Sequence, residues 1–376
     1  GIVDRRVVRV ATAGTIVEDS LLSSEINNFL ASVIISEPYA GLAYIDLTTS
    51  EFYTSQISLS ELATEISRID PKEIITSTSE QIANLDSWPI DITKVESNYF
   101  DSENAVDSIK NHFATQTLEP FGCERIPLAS KAAGAIIQYI SSNHSESLPS
   151  ITSLKTYSTS STMALDNQTR RNLELFTSGK FESGKTSLYS TLNRTVSPMG
   201  GRLLRSMIGS PSLDIDLINL RLSVLEWFYE NSIERSKVHE LLKIVSDIER
   251  ITTRIRTYKA TPRDLAALKV TLTILPELTA ALKFAKTPAP LWLTNLYVDV
   301  SPVELLITKS IVDDPPSEIG TGNTIRKGYS EELDLVKSES LGSQLYMSTL
   351  EQQEQKSTGI KNLKIGYNKV FGYYIE

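Results

Sequence analysis

Over the first 150 residues the apolar positions mix strand-like and helix-like spacing. Residues 5–12, RRVVRVAT, and 29–36, FLASVIIS, have the β-branched content of strands. Residues 41–58, GLAYIDLTTSEFYTSQIS, predict a hairpin that turns at Thr48-Thr49-Ser50 and carries Tyr44, Phe52 and Tyr53 in its strands. Helical spacing follows at 59–69, 101–113 and 128–143, with short strands near 73–77 and 92–97. Residues 143–153, NHSESLPSITS, are polar and hold a proline, which predicts a linker or boundary.

From about residue 160 the pattern changes to helix after helix. Three openings share one chemistry. Ser197-Pro198, Thr261-Pro262 with Asp264, and Ser301-Pro302 with Glu304 each place a hydroxyl at the cap and proline in the first turn. Proline needs no amide donor there, and the hydroxyl can accept from an otherwise orphaned N–H. Residues 216–230 predict an amphipathic helix with Leu217, Leu220, Val224, Leu225 and Phe228 on one stripe. KTPAPLW and DDPPSE read as proline-rich connectors. Residues 331–357 predict a polar helix about 40 Å long. Its apolar seam of Leu333, Val336, Leu341, Leu345 and Leu350 is narrow, as in an arm lying against one neighbour. The last stretch, GIKNLKIGYNKVFGYYIE, reverts to strand composition. The chain starts at Gly1 and halts within that apolar strand, so both ends are expected to be cuts.

Charge divides at the same boundary. Residues 1–150 hold 9 Lys+Arg against 21 Asp+Glu, a net of −12, and residues 151–376 hold 28 against 25, a net of +3. Phosphate would repel the first part, so any nucleic acid must be touched by the second. Cys123 is the sole cysteine, which excludes an intramolecular disulfide and a cysteine-based metal site. His112, His144 and His239 lack ligand spacing to one another. No run of 18 apolar residues suggests a membrane span, and GIVDRRVV is not a secretory signal pattern. A cytoplasmic protein is the expectation.

GKFESGKT, residues 179–186, fits the phosphate-loop pattern through Gly179, Gly184, Lys185 and Thr186. LAYIDL, ending near Asp46, resembles the apolar run that supplies a Mg²⁺ carboxylate. A working phosphate loop must leave a buried parallel strand and enter a helix. The residues before Gly179 contain Asp166 as a cap and then Thr169, Arg170, Arg171 and Asn172, which predicts a short helix or irregular segment instead. Asp46 could also be one carboxylate of a ribonuclease-H-like site. Such a site needs several converging acids, and Asp70, Asp91 and Asp101 show no spacing that demands them. No Ser/His/Asp or Cys/His arrangement is present, so no catalytic residue and no metal ligand is assigned.

Several stretches in order resemble the bacterial DNA mismatch repair MutS family. They are MALDNQTRRNLEL (163–175), LNRTVSPMGGRLLRSMIGSPSLDIDLINLRLSVLEWF (192–228), DIERITTRIRTYKATPRDLAAL (247–268), IRKGYSEELDLVK (325–337) and GIKNLKIGYNKVFGYYIE (359–376). The start, RRVVRVATAGTIVEDSLL leading into GLAYIDLTTSEF, fits too. The resemblance implies a multidomain α+β chain in three parts. Residues 1–150 would be an RNase-H-like α/β connector domain. Residues 151–339 would be a mainly α-helical core with its lever. Residues 340–376 would be the end of the lever helix and the first strands of a β clamp domain.

The resemblance further implies a middle section of a longer protein that binds mismatched duplex DNA as an ATP-driven homodimer and recruits MutL. ATP and Mg²⁺ would belong to the full-length protein and no cofactor to this section, whose role would be transmission. Non-specific DNA contacts would fall on Lys361, Lys364 and Lys369 beside Tyr367, and a MutL-facing surface on Asp107 and Ser108. Two other readings stay open: a stand-alone P-loop NTPase using Gly179–Thr186, and a helical scaffold that binds only protein.

Overall fold

The computed structural model describes residues 11–77, 90–177, 186–283, 289–290, 293, 298–368 and 372–376. The strand expected at 5–12 therefore lies almost wholly outside the described residues, as do Gly179–Lys185 and Lys369.

The period-two stretches form a meander. Strand β1 (Phe29–Ser36) pairs antiparallel with β2 (Tyr39–Asp46), and β2 with β3 (Glu51–Ser58). Two strands then add in parallel on the β1 side: β4 (Glu73–Thr76) beside β1, and β5 (Asp91–Lys94) beside β4. A short β6 (Lys155–Thr156) pairs parallel with β3, so the sheet takes its last strand from beyond residue 150. The order β5-β4-β1-β2-β3-β6 is the ribonuclease-H-like arrangement with one added edge. Alternation decides which side chain goes where. Leu42 and Tyr44 face helix α1 (Leu62–Ile69), whereas Ala43 and Ile45 face α3 (Pro127–Asn143). With both faces covered, β2 is buried along nearly its whole length, as a central strand must be.

Helix α2 (Ser102–Phe113) packs on α3, which lies across the sheet. Two glycines permit these approaches. A Cβ on Gly134 would come within 2.4 Å of the Ala105 carbonyl oxygen, and one on Gly41 within 2.1 Å of the Leu128 carbonyl oxygen. The buried carboxylate of Glu73 on β4 ties the layers together. It accepts from the Gly14 amide (3.0 Å), the Thr93 hydroxyl (2.6 Å), the Tyr139 hydroxyl on α3 (3.0 Å) and the Thr12 hydroxyl. Burial, with the neighbouring Glu73 charge, pushes the Tyr139 phenol up to about 12, so it stays a donor.

The rest is helical: α4 (Asn167–Asn172), α5 (Leu188–Leu192), α6 (Pro198–Gly209), α7 (Ile215–Glu230), α8 (Ser232–Leu242), α9 (Ile248–Arg256), α10 (Pro262–Lys283), α11 (Ser301–Ser310) and α12 (Glu331–Thr358). Two of the expected caps form. The Gly200 amide donates to Ser197 Oγ at 3.2 Å, and Thr261 and Asp264 bond reciprocally. The third does not. The Ser301 amide and hydroxyl both donate to the Asp299 carboxylate, and Glu304 accepts from Thr308 instead. An ionised acceptor two residues upstream outcompetes the box.

Two small cores hold the helices. Trp227, Val238, Ala281 and Leu282 join α7, α8 and α10. Ile251, Leu268, Leu272, Ile307 and Ile311 join α9, α10 and α11. By length and composition α10 could cross a bilayer. Here it packs against α8, α9 and α11, and salt bridges bind Lys269 to Asp313 and Glu277 to Lys237. The apolar stripe expected at 216–230 is only partly covered. Leu217, Val224 and Phe228 are half-buried, and Leu220 and Leu225 are exposed. The seam of α12 is likewise open at Val336, Leu341 and Leu345.

Candidate functional site

Residues 13–28 cross from the sheet to the helices, and buried arginines hold them there. Arg202 on α6 is 5% exposed. It donates to the Ser24 carbonyl (2.7 Å), to both oxygens of Asp247 (2.7 Å each) and to Glu249 (2.6 Å). Burial alone would lower its pKa, but Asp247 and then Glu249 outweigh this and raise it. Arg250 on α9 donates to the carbonyls of Ser23 (2.9 Å) and Ile26 (3.2 Å). Arg254 bridges Asp19 to Asp264, each at 2.5 Å. Glu25 accepts from the Tyr189 hydroxyl at 2.8 Å and from Asn193 at 3.2 Å. Guanidinium forks suit this task, since one side chain can satisfy carbonyls and carboxylates from separate segments.

The same strap grips the β2–β3 turn. Asp46 is fully buried, and its carboxylate accepts from Asn27 (2.9 Å), the Asn28 amide (3.1 Å), and the Thr48 amide (2.8 Å) and hydroxyl (2.7 Å). Those four donors use it as a turn and strap anchor. Among the described residues, no three His, Cys, Asp or Glu side chains are placed to hold a metal ion. Asn27 also donates to Glu51 at 2.6 Å. Burial, and then the Asp46 charge, hold the Glu51 carboxyl above the usual range. At the turn itself, the Ser50 and Thr253 hydroxyls lie 3.2 Å apart, bringing the hairpin tip onto α9.

At the C-terminal end, α12 leads into a hairpin, β7 (Ile365–Asn368) and β8 (Gly372–Ile375). Gly359, at φ 74°, ends the helix with its amide on the Gln355 carbonyl. The Gln355 side chain donates to the Leu363 carbonyl (2.7 Å), and the Ile365 amide donates to the Glu351 carboxylate (3.0 Å). Lys361 and Lys364 are exposed beside this junction. Tyr367 is exposed and packs on Tyr373 at 5.0 Å. Asp107 is exposed on α2, while the Ser108 hydroxyl is turned back onto the Asn104 carbonyl at 2.7 Å. The segment before the phosphate-loop pattern is α4 followed by turns, not a strand. The Asp166 carboxylate caps α4 by accepting from the Thr169 amide at 2.7 Å.

Sequence reasoning did not find Arg202, Arg250 or Arg254. The only signal was arginine at three- or four-residue spacing on helices otherwise amphipathic, which by itself says surface.

The family described as MutS domain III matches residues 168–363, and that described as MutS domain II matches residues 28–152. Among individual proteins, the chain is 39% identical over 376 residues to the DNA mismatch repair protein MutS of Dehalococcoides mccartyi. It is 35% identical to the proteins of that name from Halothermothrix orenii over 387 residues and Methanosarcina acetivorans over 400. Each alignment takes in all of this chain but 43–44% of the relative, so the chain spans less than half their length.

Proposed function

Because the chain belongs to the MutS family of DNA mismatch repair proteins, we propose that it forms the section of such a protein that carries conformational change between a DNA-holding end and an ATP-hydrolysing end. The observation that supports this reading is mechanical continuity. A 28-residue helix, about 42 Å at 1.5 Å per residue, runs without a proline or break into a bonded hairpin. At the opposite side, the sheet domain is tied to α6 and α9 through buried arginines. Rigid elements joined by a few discrete contacts are what a two-state transition needs.

In this reading no side chain of the chain performs chemistry. ATP and Mg²⁺ serve the complete protein, which acts in the cytoplasm as a homodimer on mismatched duplex. Mispaired steps are cheaper to kink, so deformability is read as energy. Lys361 and Lys364, with Lys369, supply sequence-blind phosphate contacts near Tyr367. The chain by itself is then expected to bind duplex weakly and with steep salt dependence. In a fluorescence anisotropy titration, Lys361→Ala with Lys364→Ala should reduce the salt slope by about two. A preference of the isolated chain for a G·T-mismatched duplex over a matched one would overturn the assignment.

In this reading the α2 surface at Asp107 and Ser108 faces MutL, and the exposure of the Asp107 carboxylate supports it. Asp107→Lys is expected to weaken capture of MutL by the full-length protein about tenfold, while DNA binding stays intact. Unchanged capture in biolayer interferometry would remove α2 from that surface.

A further inference from the structure

Between the α1 face of the sheet and helices α4 and α6 lies a cleft of about 750 Å³. Its volume is in the range of small-molecule sites. One wall comes from the sheet domain and presents Tyr44, Tyr53 and Arg68. The other comes from the helices and presents Arg170, Phe176 and Arg205. Most of the nearby charges are already paired. Arg68 lies 2.8 Å from Glu65, Arg202 is held by Asp247 and Glu249, and Asp70 lies 3.3 Å from Lys72.

Arg170 and Arg205 differ, and unlike the exposed Arg171 of the same wall they are half-buried. Arg170 donates to a neutral acceptor, the Gly209 carbonyl, at 2.7 Å. Arg205 stacks over Phe176 at 4.2 Å and lies 5.7 Å from the Tyr189 ring. Among the described residues neither has a carboxylate within ion-pair distance. Burial comes first in lowering both guanidinium pKa values, and Arg68 and Arg205 lower that of Arg170 further, while the Asp70 carboxylate of the same cleft, beyond ion-pair distance, offsets only part of this. Arg170 also lies over Phe176, at 5.3 Å, and two half-buried cations sharing one aromatic ring are costly unless an anion joins them.

We propose that this cleft binds a small phosphate-bearing anion, with Arg170 and Arg205 as its cationic ligands. A guanidinium fork matches phosphate oxygens in pairs, and the ring beneath keeps each fork flat and aimed. A bound anion would touch walls from both domains. It would therefore favour one orientation of the sheet domain against α6, acting on the junction that the arginine strap already defines.

Isothermal titration of the chain with inorganic pyrophosphate and with ADP tests this. Binding of pyrophosphate and ADP with equal affinity would identify the phosphate groups as the whole ligand. Binding of ADP about tenfold tighter would assign the tyrosine wall to a nucleotide base. In either case Arg205→Gln should weaken binding at least about tenfold. Ser206, exposed on the same wall, offers a variant that leaves the arginines in place. Ser206→Glu should abolish binding and Ser206→Gln should retain it. Failure of both anions to bind at about 1 mM, or binding that survives Arg205→Gln and Ser206→Glu, would overturn the proposal. So would binding lost in Lys185→Ala but kept in Arg205→Gln, which would move the site to Gly179–Thr186.

Discussion

Arg202→Ala is expected to cost about 3–5 kcal/mol, the loss associated with breaking a buried ion pair from one side. The guanidinium is 5% exposed and its main partner Asp247 only 15%, so removing it leaves a carboxylate with little water to turn to. Glu249, at 46% exposure, is screened and contributes less. The Ser24 carbonyl loses its donor as well. Because Ser24 belongs to the strap, the damage should concentrate at the seam between sheet and helices. In urea denaturation, the transitions seen by tryptophan fluorescence and by far-UV circular dichroism should then lie further apart than in the parent. Arg202→Lys should recover only part of the loss, because an ammonium cannot serve Asp247, Glu249 and Ser24 from one plane. A loss below about 1 kcal/mol would mean that the pair behaves like a surface salt bridge and does not hold the strap.

Gly41→Val should be comparably damaging for a different reason. The first added carbon would sit 2.1 Å from the Leu128 carbonyl oxygen and 2.5 Å from its carbon. These are backbone atoms at the start of α3, so no rotamer change can relieve the contact. Helix α3 would have to lift from β2, opening the cluster that includes Ile136 and Ile140. Overpacking of this kind costs about 3 kcal/mol or more when the obstacle cannot move. Gly342, on the exposed α12 with nothing within 4 Å of an added Cβ, provides the contrast. Gly342→Ala should be neutral or raise stability by about 0.5–1 kcal/mol through helix propensity. Thermal melts should show a clear fall for Gly41→Val and no fall for Gly342→Ala. A melting temperature for Gly41→Val equal to the parent's would show that α3 seats on β2 less tightly than the distances require.

The amino-acid sequence by itself determined the local elements, because their signals are local. Period-two alternation placed β1 at Phe29–Ser36 and the β2–β3 hairpin around Thr48–Ser50. Proline with a capping hydroxyl located the start of α6 and α10, and a long polar stretch marked α12. Residues 163–175 and 192–228 also carried the family resemblance. Short-range competition still misled at Ser301, where Asp299 lies closer than Glu304.

Tertiary structure alone decided the rest. The arginine cage joins Arg254 to Asp19 and Arg202 to Ser24, pairs more than 170 residues apart, and no spacing rule spans such a distance. Asp46 shows the same limit, since an acid at a strand end can be a metal ligand or a turn anchor. Only the donors from Asn27, Asn28 and Thr48 distinguish the two. The stripes on α7 and α12 are the converse case. Periodicity states that a helix face is apolar, but burial depends on whether another element reaches it. The unpaired arginines of the cleft depend likewise on which side chains the fold brings within 4 Å. A sequence can specify such charges, but only folded geometry determines their company.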